Sequence, residues 1–299
     1  MRVLASLVIA VGFLFSSPAF ADKNADAYYK EGLAYKMEGK VDQAIESLTK
    51  AVAQNPKHGM AWASLGGLYK TKKDLEKSID AYEHATQIIT KDKTLWRNLG
   101  TAYANTNKLE QAKTALLAAC KLDPKDGEIR YLLGTTRRKL NDNKGAIVDL
   151  EAAVKAKQDE PEWFHSLGVA YRFDKREDDA IKMYEKAIAL APNEARYHYD
   201  LGAAYRRKDD PDKAIPEYEK ATSLDPANSD GWFDLGYMYK RNKENDKAIA
   251  AWQKYLDLNK GKDAEGGKRI EEEMTSIGGA PAKATDKKPA PKKPAPKKK

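Results

Sequence analysis

Cysteine is almost absent from this sequence: Cys120 is the single cysteine in 299 residues. One cysteine cannot form a disulfide within the chain, and Cys120 stands far from the N-terminus, where a bacterial lipoprotein carries its lipid. Histidine is also scarce, and none of the four histidines falls into an H-E-x-x-H or comparable metal-binding spacing. No glycine-rich phosphate-binding loop is present. We therefore expect no enzymatic activity, no metal and no cofactor.

Long hydrophobic runs are missing apart from one at the N-terminus. Residues 3–15 are VLASLVIAVGFLF, Arg2 precedes them, and Ala19-Phe20-Ala21 follows as a small-x-small cleavage pattern. These features predict a signal peptide of residues 1–21, cleaved after Ala21. The mature chain would then be exported, to the periplasm, without a transmembrane segment. An uncleaved membrane anchor is the alternative, but a run of this length is short for a bilayer.

The net charge of +8 is concentrated at the ends of the chain. Residues 280–299, APAKATDKKPAPKKPAPKKK, contribute +7 and Arg2 contributes +1, so the residues between them are formally neutral. A segment rich in lysine, proline and alanine cannot form a core, and we expect this tail to be disordered. It would either bind an anionic surface, such as lipid, cell wall or acidic protein, or serve as a solubilising end. Specific nucleic-acid binding is not expected.

Glycine recurs at an exact interval of 34 residues. The recurring glycines are Gly32, Gly66, Gly100, Gly134, Gly168, Gly202 and Gly236. They define seven units that begin at residues 25, 59, 93, 127, 161, 195 and 229. Positions 4, 7, 8 and 11 of a unit are mostly a large residue, Leu, Gly and Tyr, which is the i, i+3, i+4, i+7 spacing of an α-helix. Glycine destabilises a helix by about 1 kcal/mol relative to alanine, so its recurrence predicts close approach of a second helix.

The second helix of each unit is predicted to begin near position 18 and to end before position 32. Acidic residues at position 18 suit the first turn of a helix, and proline at position 32 ends the helix. The acids are Asp42, Asp178, Asp212 and Asp246, and the prolines are Pro56, Pro124, Pro192 and Pro226. Some units depart from the pattern, and we expect local effects on helix ends: Arg137 and Gln158 in unit 4, Ser78 and Thr90 in unit 2, Tyr255 and Lys260 in unit 7.

This pattern resembles the signature of the tetratricopeptide repeat over residues 25–262. The resemblance implies an all-α fold, a right-handed superhelical solenoid of antiparallel helix pairs in which neighbouring units bury each other's apolar faces. After unit 7, the i, i+4, i+7 spacing of Ile270, Met274 and Ile277 predicts one capping helix. The solenoid and its cap would span residues 22–279.

In proteins that this sequence resembles, positions 2, 5, 9 and 12 of the first helix line a concave ligand groove. Position 12 is basic in six of seven units and position 5 is mostly aromatic, while Asp26, Glu128, Glu162 and Asp230 stand at position 2. Aromatic and arginine side chains commonly anchor interfaces. The candidate groove residues are Arg97, Tyr131, Arg138, His165, Arg172, Tyr199, Arg206, Arg207, Phe233, Tyr237, Lys240 and Arg241. The alternative is that acids at helix starts and bases at helix ends simply complement the helix dipole.

Together these observations predict a protein-interaction scaffold of the bacterial cell envelope that binds a protein or peptide, with acidic residues or a free carboxylate, in its groove. The resemblance suggests a role in assembling an envelope machine such as a pilus or a secretion system. The alternative is a tethering protein whose basic tail is the working part.

Overall fold

The computed structural model describes residues 24–260 and 262–278. The predicted signal peptide, residues 1–21, and the basic tail, residues 280–299, lie outside the described residues. Over the described ranges every regular element is an α-helix and no strand occurs. The predicted all-α class is confirmed.

Seven helix pairs follow the seven repeat units, and one further helix follows the last pair. Their bounds are α1 Ala25–Met37, α2 Val41–Gln54, α3 Gly59–Thr71, α4 Leu75–Ile88, α5 Lys93–Asn105, α6 Leu109–Leu122, α7 Gly127–Lys139, α8 Asn143–Ala156, α9 Pro161–Phe173, α10 Glu177–Leu190, α11 Ala195–Arg207, α12 Pro211–Leu224, α13 Ser229–Arg241, α14 Asn245–Asn259 and α15 Ala264–Ser276. Each first helix begins at position 1 of its unit, as the glycine spacing predicts.

The helices belong to two compact segments. The N-terminal segment ends at Pro124 and contains α1 to α6, and the C-terminal segment begins at Lys125 and contains α7 to α15. In both segments each first helix packs most extensively against the second helix of its own unit and next against the second helix of the preceding unit in that segment. Stacking of this kind buries a continuous apolar face that one pair could not bury alone.

The recurring glycine lets the two helices of a pair approach closely. A Cβ added to Gly168 would lie 2.6 Å from Cε1 of Tyr184 and 3.2 Å from the carbonyl oxygen of Ala180, both on α10. The same relation holds between position 8 and the large residue at position 24 in every unit. Glycine is therefore present in mid-helix because a side chain of the partner helix occupies the space of its Cβ.

Helix ends follow local sequence chemistry. The four acids predicted at position 18 all lie in the first turn of their helices. Each position-32 proline stands two residues beyond the end of its helix. Helices α4 and α8 end at the same position without proline, and α14 is one residue longer. The turn between the two helices carries a positive φ at position 15, on Gly39 and then on Lys73, Asn107, Asn141, Lys175, Asp209 and Lys243.

Helix α15 covers the apolar side of the last pair. Ile270 and Met274 are buried against a cluster that includes Trp252 and Tyr255 of α14, and Ile277 packs at its edge. Ile270 and Met274 therefore lie in one helix that closes the hydrophobic core of unit 7, and Ile277 stands just after its last residue.

Candidate functional site

The candidate site is the row of side chains at positions 5, 9 and 12 of α7, α9, α11 and α13, which we call the groove face. All four helices belong to the C-terminal segment. Positions 5, 9 and 12 follow one another at intervals of four and three residues, so they share one side of each helix. The structure shows that this face is a series of contacts between neighbouring units.

Two carboxylates join consecutive units along the groove face. Asp234 of α13 accepts a hydrogen bond of 3.0 Å from the Tyr199 hydroxyl and one of 3.3 Å from the Tyr218 hydroxyl, and it lies 3.4 Å from the Arg206 guanidinium. Asp200 of α11 is arranged in the same way, 2.7 Å from His165 Nε2 and 3.8 Å from the Arg172 guanidinium. We call each arrangement a rung: position 5 and position 12 of one unit meet an aspartate at position 6 of the next.

Burial controls the electrostatics of the rungs. Asp234 is 5% exposed, and burial raises the pKa of its carboxyl, while the Arg206 guanidinium and the hydroxyls of Tyr199 and Tyr218 oppose this shift. Burial and the nearby Asp234 raise the pKa of both tyrosines. A buried carboxylate is stabilised mainly by such charged and hydrogen-bonded partners. Arg206 and Arg172 therefore stabilise the stack, whatever else they bind.

His165 is a core residue. Its ring is 4% exposed, stacks on Tyr197 with ring centroids 4.8 Å apart, and packs against Tyr184 at 5.5 Å. With Nε2 directed to Asp200, the imidazole is part of a rung rather than an open groove floor.

The rung between units 4 and 5 is incomplete. Tyr131 and Arg138 occupy positions 5 and 12 of α7, but position 6 of α9 is Ser166, beside the Tyr131 hydroxyl. Tyr131 is half-buried, its ring stacks on Trp163 at 5.4 Å, and burial raises its pKa. No salt bridge joins Arg138 to any acid in the part of the chain that the structure describes.

Three other basic candidates, unlike Arg138, are paired with acids within the chain. Arg207 donates from Nε to Glu177 at 3.1 Å, Arg241 forms an ion pair with Asp209, and Lys240 forms one with Glu273 of α15. Arg206, Tyr237, Lys240 and Arg241 nevertheless line one open cleft of about 450 Å³, together with Asp209 and Met238. The structure thus brings four predicted residues together at the C-terminal end of the groove face.

Phe233 lies in a different cleft, next to the capping helix. This cleft, of about 390 Å³, is lined by Asp230, Phe233 and Tyr255 and by Asp263, Glu265, Gly266 and Arg269 at or in α15. Phe233 also packs edge-on to Tyr237 with ring centroids 5.0 Å apart. Arg97, by contrast, is half-buried on α5 of the N-terminal segment.

Sequence reasoning missed Asp200 and Asp234, which organise the face. The signal was available, since both stand at position 6 of their units, 34 residues apart. Position 6 was not among the positions expected to line a groove. The role of an aspartate at position 6 is seen only from its distance to the arginine at position 12 of the preceding unit.

The described residues contain no cluster of three or more histidine, cysteine, aspartate or glutamate side chains that could hold a metal ion. None of the helices in these residues has the length and hydropathy needed to span a bilayer.

Comparisons with known proteins identify the repeat. A sequence model described as "Tetratricopeptide repeat" matches residues 29–92, 97–161 and 199–263, and a second model of that description matches residues 160–227. The comparison with curated proteins found no match.

Three solved structures illustrate the similarity in fold. MamA is 27% identical, with a TM-score of 0.54 over 57% of this chain and 93% of that one. YrrB, described as "a TPR protein with an unusual peptide-binding site", is 22% identical, with a TM-score of 0.56 over 67% and 99%. The C-terminal part of a TPR repeat-containing protein from Cytophaga hutchinsonii is 19% identical, with a TM-score of 0.66 over 81% and 98%.

Proposed function

Because the chain belongs to the tetratricopeptide repeat family, we propose that it is a non-enzymatic protein-interaction scaffold of the bacterial cell envelope, and that its groove face binds a segment of a partner protein. Residues 1–21, with their signal-peptide pattern, support export to the periplasm. The family resemblance supports a role in assembling an envelope machine such as a pilus or a secretion system.

One observation carries the proposal: aromatic and basic side chains lie next to each other on successive first helices. Tyr131 and Arg138 lie on the same side of α7, about two helical turns apart, and Tyr237, Lys240 and Arg206 share a cleft at the other end of the face. Tyrosine and arginine are the residue types that contribute most to binding at protein interfaces. YrrB, with its peptide-binding site, is a precedent on the same fold.

Because Arg172 and Arg206 belong to rungs, substitutions at these arginines do not test binding alone. Charge reversal of Arg172 or Arg206 would remove the arginine beside the partly buried Asp200 or the buried Asp234, and lost binding would then reflect lost folding. Thr135→Trp avoids this problem, because Thr135 lies at position 9 of α7 between Tyr131 and Arg138 and is partly exposed. A tryptophan there would cover the groove face without breaking a rung.

The experiment is affinity capture from envelope extracts with residues 22–299, followed by mass spectrometry. We expect the Thr135→Trp variant to lose the captured partner. The matched control, Lys182→Trp on the exposed side of α10, should retain it. Circular dichroism must show equal helicity in all three proteins. Retention of the partner by a folded Thr135→Trp variant would contradict binding at this face.

Composition favours a second function for the tail, electrostatic tethering to an anionic surface. Residues 280–299 carry a net charge of +7. Chains of residues 22–299 and 22–279 would be compared for binding to vesicles of anionic lipid. We expect binding by the longer chain alone, weakening steeply between low and high salt. Salt-independent binding, or equal binding by both chains, would contradict tethering.

A further inference from the structure

Three successive rungs of the groove face have similar residues at positions 5 and 12. They differ at position 6 of the following unit. Position 5 offers Tyr131, His165 or Tyr199, and position 12 offers Arg138, Arg172 or Arg206. In the second and third rungs the following unit supplies a carboxylate, from Asp200 and Asp234. In the first rung it supplies the Ser166 hydroxyl, which is too short and uncharged to replace a carboxylate.

Glu162, the acid that acts on Tyr131, does not compensate for the missing carboxylate. Glu162 lies close enough to influence Tyr131, but its carboxylate accepts hydrogen bonds of 2.5 Å from Arg196 and 3.2 Å from Tyr197. The Nε–H of Arg138 is shielded from solvent and has no acceptor within the described ranges. Arg172 has the same shielded Nε, yet its guanidinium reaches Asp200. Arg138 thus has the surroundings of a rung arginine without the anion.

The chemistry of the first rung favours a carboxylate as its occupant. A partly buried guanidinium gains more from a charged acceptor than an exposed one does, because the surrounding dielectric is lower. Arginine binds carboxylates with short, often bidentate hydrogen bonds. The stacked rings of Tyr131 and Trp163 would add an apolar wall beside it.

We propose that Arg138 binds an aspartate or glutamate side chain of the partner protein, whose carboxylate takes the place that Asp200 and Asp234 hold in the neighbouring rungs. This inference rests on the proposed function, since it assigns one anchoring contact on the same face. The partner segment completes the first rung from outside the chain.

A substitution at Ser166 tests the first claim, that the surroundings of Arg138 favour a carboxylate. In Ser166→Asp the new carboxylate should pair with Arg138, and we expect the substitution to be about tenfold more favourable to the folding equilibrium in the native background than in Arg138→Gln. Ser166→Asn is the control of matched size, and it should show no such dependence on Arg138. Equal effects of Ser166→Asp in both backgrounds would overturn the proposal.

A short peptide tests the second claim, that Arg138 binds a carboxylate from outside the chain. The peptide acetyl-Ala-Glu-Ala-amide would be titrated into the full chain, with the ¹⁵N–¹H signals of the arginine Nε–H groups as the readout. We expect the Arg138 signal to shift with this peptide, and not with acetyl-Ala-Gln-Ala-amide or in the Ser166→Asp variant. No shift of Arg138, or an equal shift with the glutamine peptide, overturns the inference. A larger shift with inorganic phosphate overturns the choice of carboxylate.

The two proposals fail in different ways. If Thr135→Trp abolishes capture of the partner while Arg138→Gln leaves it unchanged, the groove face binds the partner without this anchor, and the inference is wrong while the proposed function stands. If neither substitution affects capture, binding at the groove face is wrong as well.

Discussion

Among single residues, Arg137 departs most clearly from the repeat, because the other six units have tyrosine at its position. Arg137 and Arg130 of α7 both reach Asp149 of α8, with Nη1 to Oδ distances of 2.9 and 2.6 Å. Asp149 is 1% exposed, so its charge is stabilised by these two guanidiniums in a low-dielectric interior. The departure from the repeat pattern is therefore part of a buried ion cluster specific to unit 4.

We expect Asp149→Ala to lower the free energy of unfolding by about 3 kcal/mol, because it removes the buried carboxylate that both guanidiniums reach. Urea unfolding followed by circular dichroism measures the change. Adding Arg130→Trp and Arg137→Tyr to Asp149→Ala returns the unit to the apolar pattern of the other units, and most of the lost stability should return. A triple variant no more stable than Asp149→Ala would contradict this account.

At the scale of helices, two kinds of contact recur along the chain. Within a unit, position 8 packs against position 24. Between units, the tyrosine at position 11 donates to a glutamate at position 25 of the preceding unit, as Tyr171 does to Glu151 at 2.6 Å and Tyr205 to Glu185 at 3.1 Å. Tyr103 with Glu83 and Tyr239 with Glu219 form the same bond. One period of 34 residues therefore repeats both the packing and the hydrogen bonds.

Two adjacent glycines of α3 provide a matched test of the packing within a unit. A Cβ on Gly66 would lie 2.7 Å from the Tyr82 ring, whereas a Cβ on Gly67 would lie 3.7 Å from its nearest neighbour, the Tyr82 hydroxyl. We expect Gly66→Ala to destabilise the protein by about 1–3 kcal/mol through overpacking. Gly67→Ala should stabilise it, by up to about 1 kcal/mol, because alanine favours the helix.

Thermal and urea unfolding of the two variants measure both effects. The account fails if Gly66→Ala is as stable as Gly67→Ala, since helix propensity alone would then explain the results.

At the scale of the whole molecule, burial raises the pKa of many tyrosine hydroxyls among the described residues. Burial, followed by interactions with nearby glutamates, raises the pKa of Tyr197 and of Tyr205 to about 12. Several tyrosines in both segments have pKa values raised for the same main reason, among them Tyr103, Tyr171, Tyr199 and Tyr239. An ordinary tyrosine has a pKa of about 10.

These shifts predict a loss of stability in alkali. Between about pH 10 and pH 12 the unfolded chain loses tyrosine protons that the folded chain retains, so the unfolded state binds fewer protons and the free energy of unfolding falls as the pH rises. Urea unfolding at a series of pH values measures the slope. We expect the double variant Tyr197→Phe, Tyr205→Phe to show a shallower slope above pH 10, and an unchanged slope would contradict these assignments.

Much of the fold was predictable from the sequence because repeat proteins are built from local contacts. The exact interval of 34 residues, the position-8 glycines and the position-32 prolines predicted the helix pairs, since each signal acts within one helix or between two consecutive helices. The capping helix was also predictable, from Ile270 and Met274. Membership of the tetratricopeptide repeat family followed from the same positions.

The candidate site could be predicted in part. The sequence alone determined which residue types recur at positions 5 and 12, and that Tyr131 and Arg138 share one side of α7. It did not determine which bases already have partners. That depends on distances between residues 28 to 33 positions apart in the chain, such as Arg206 with Asp234 or Lys240 with Glu273. Only the tertiary structure decided this, because a buried ion pair is set by the packing of one unit against the next.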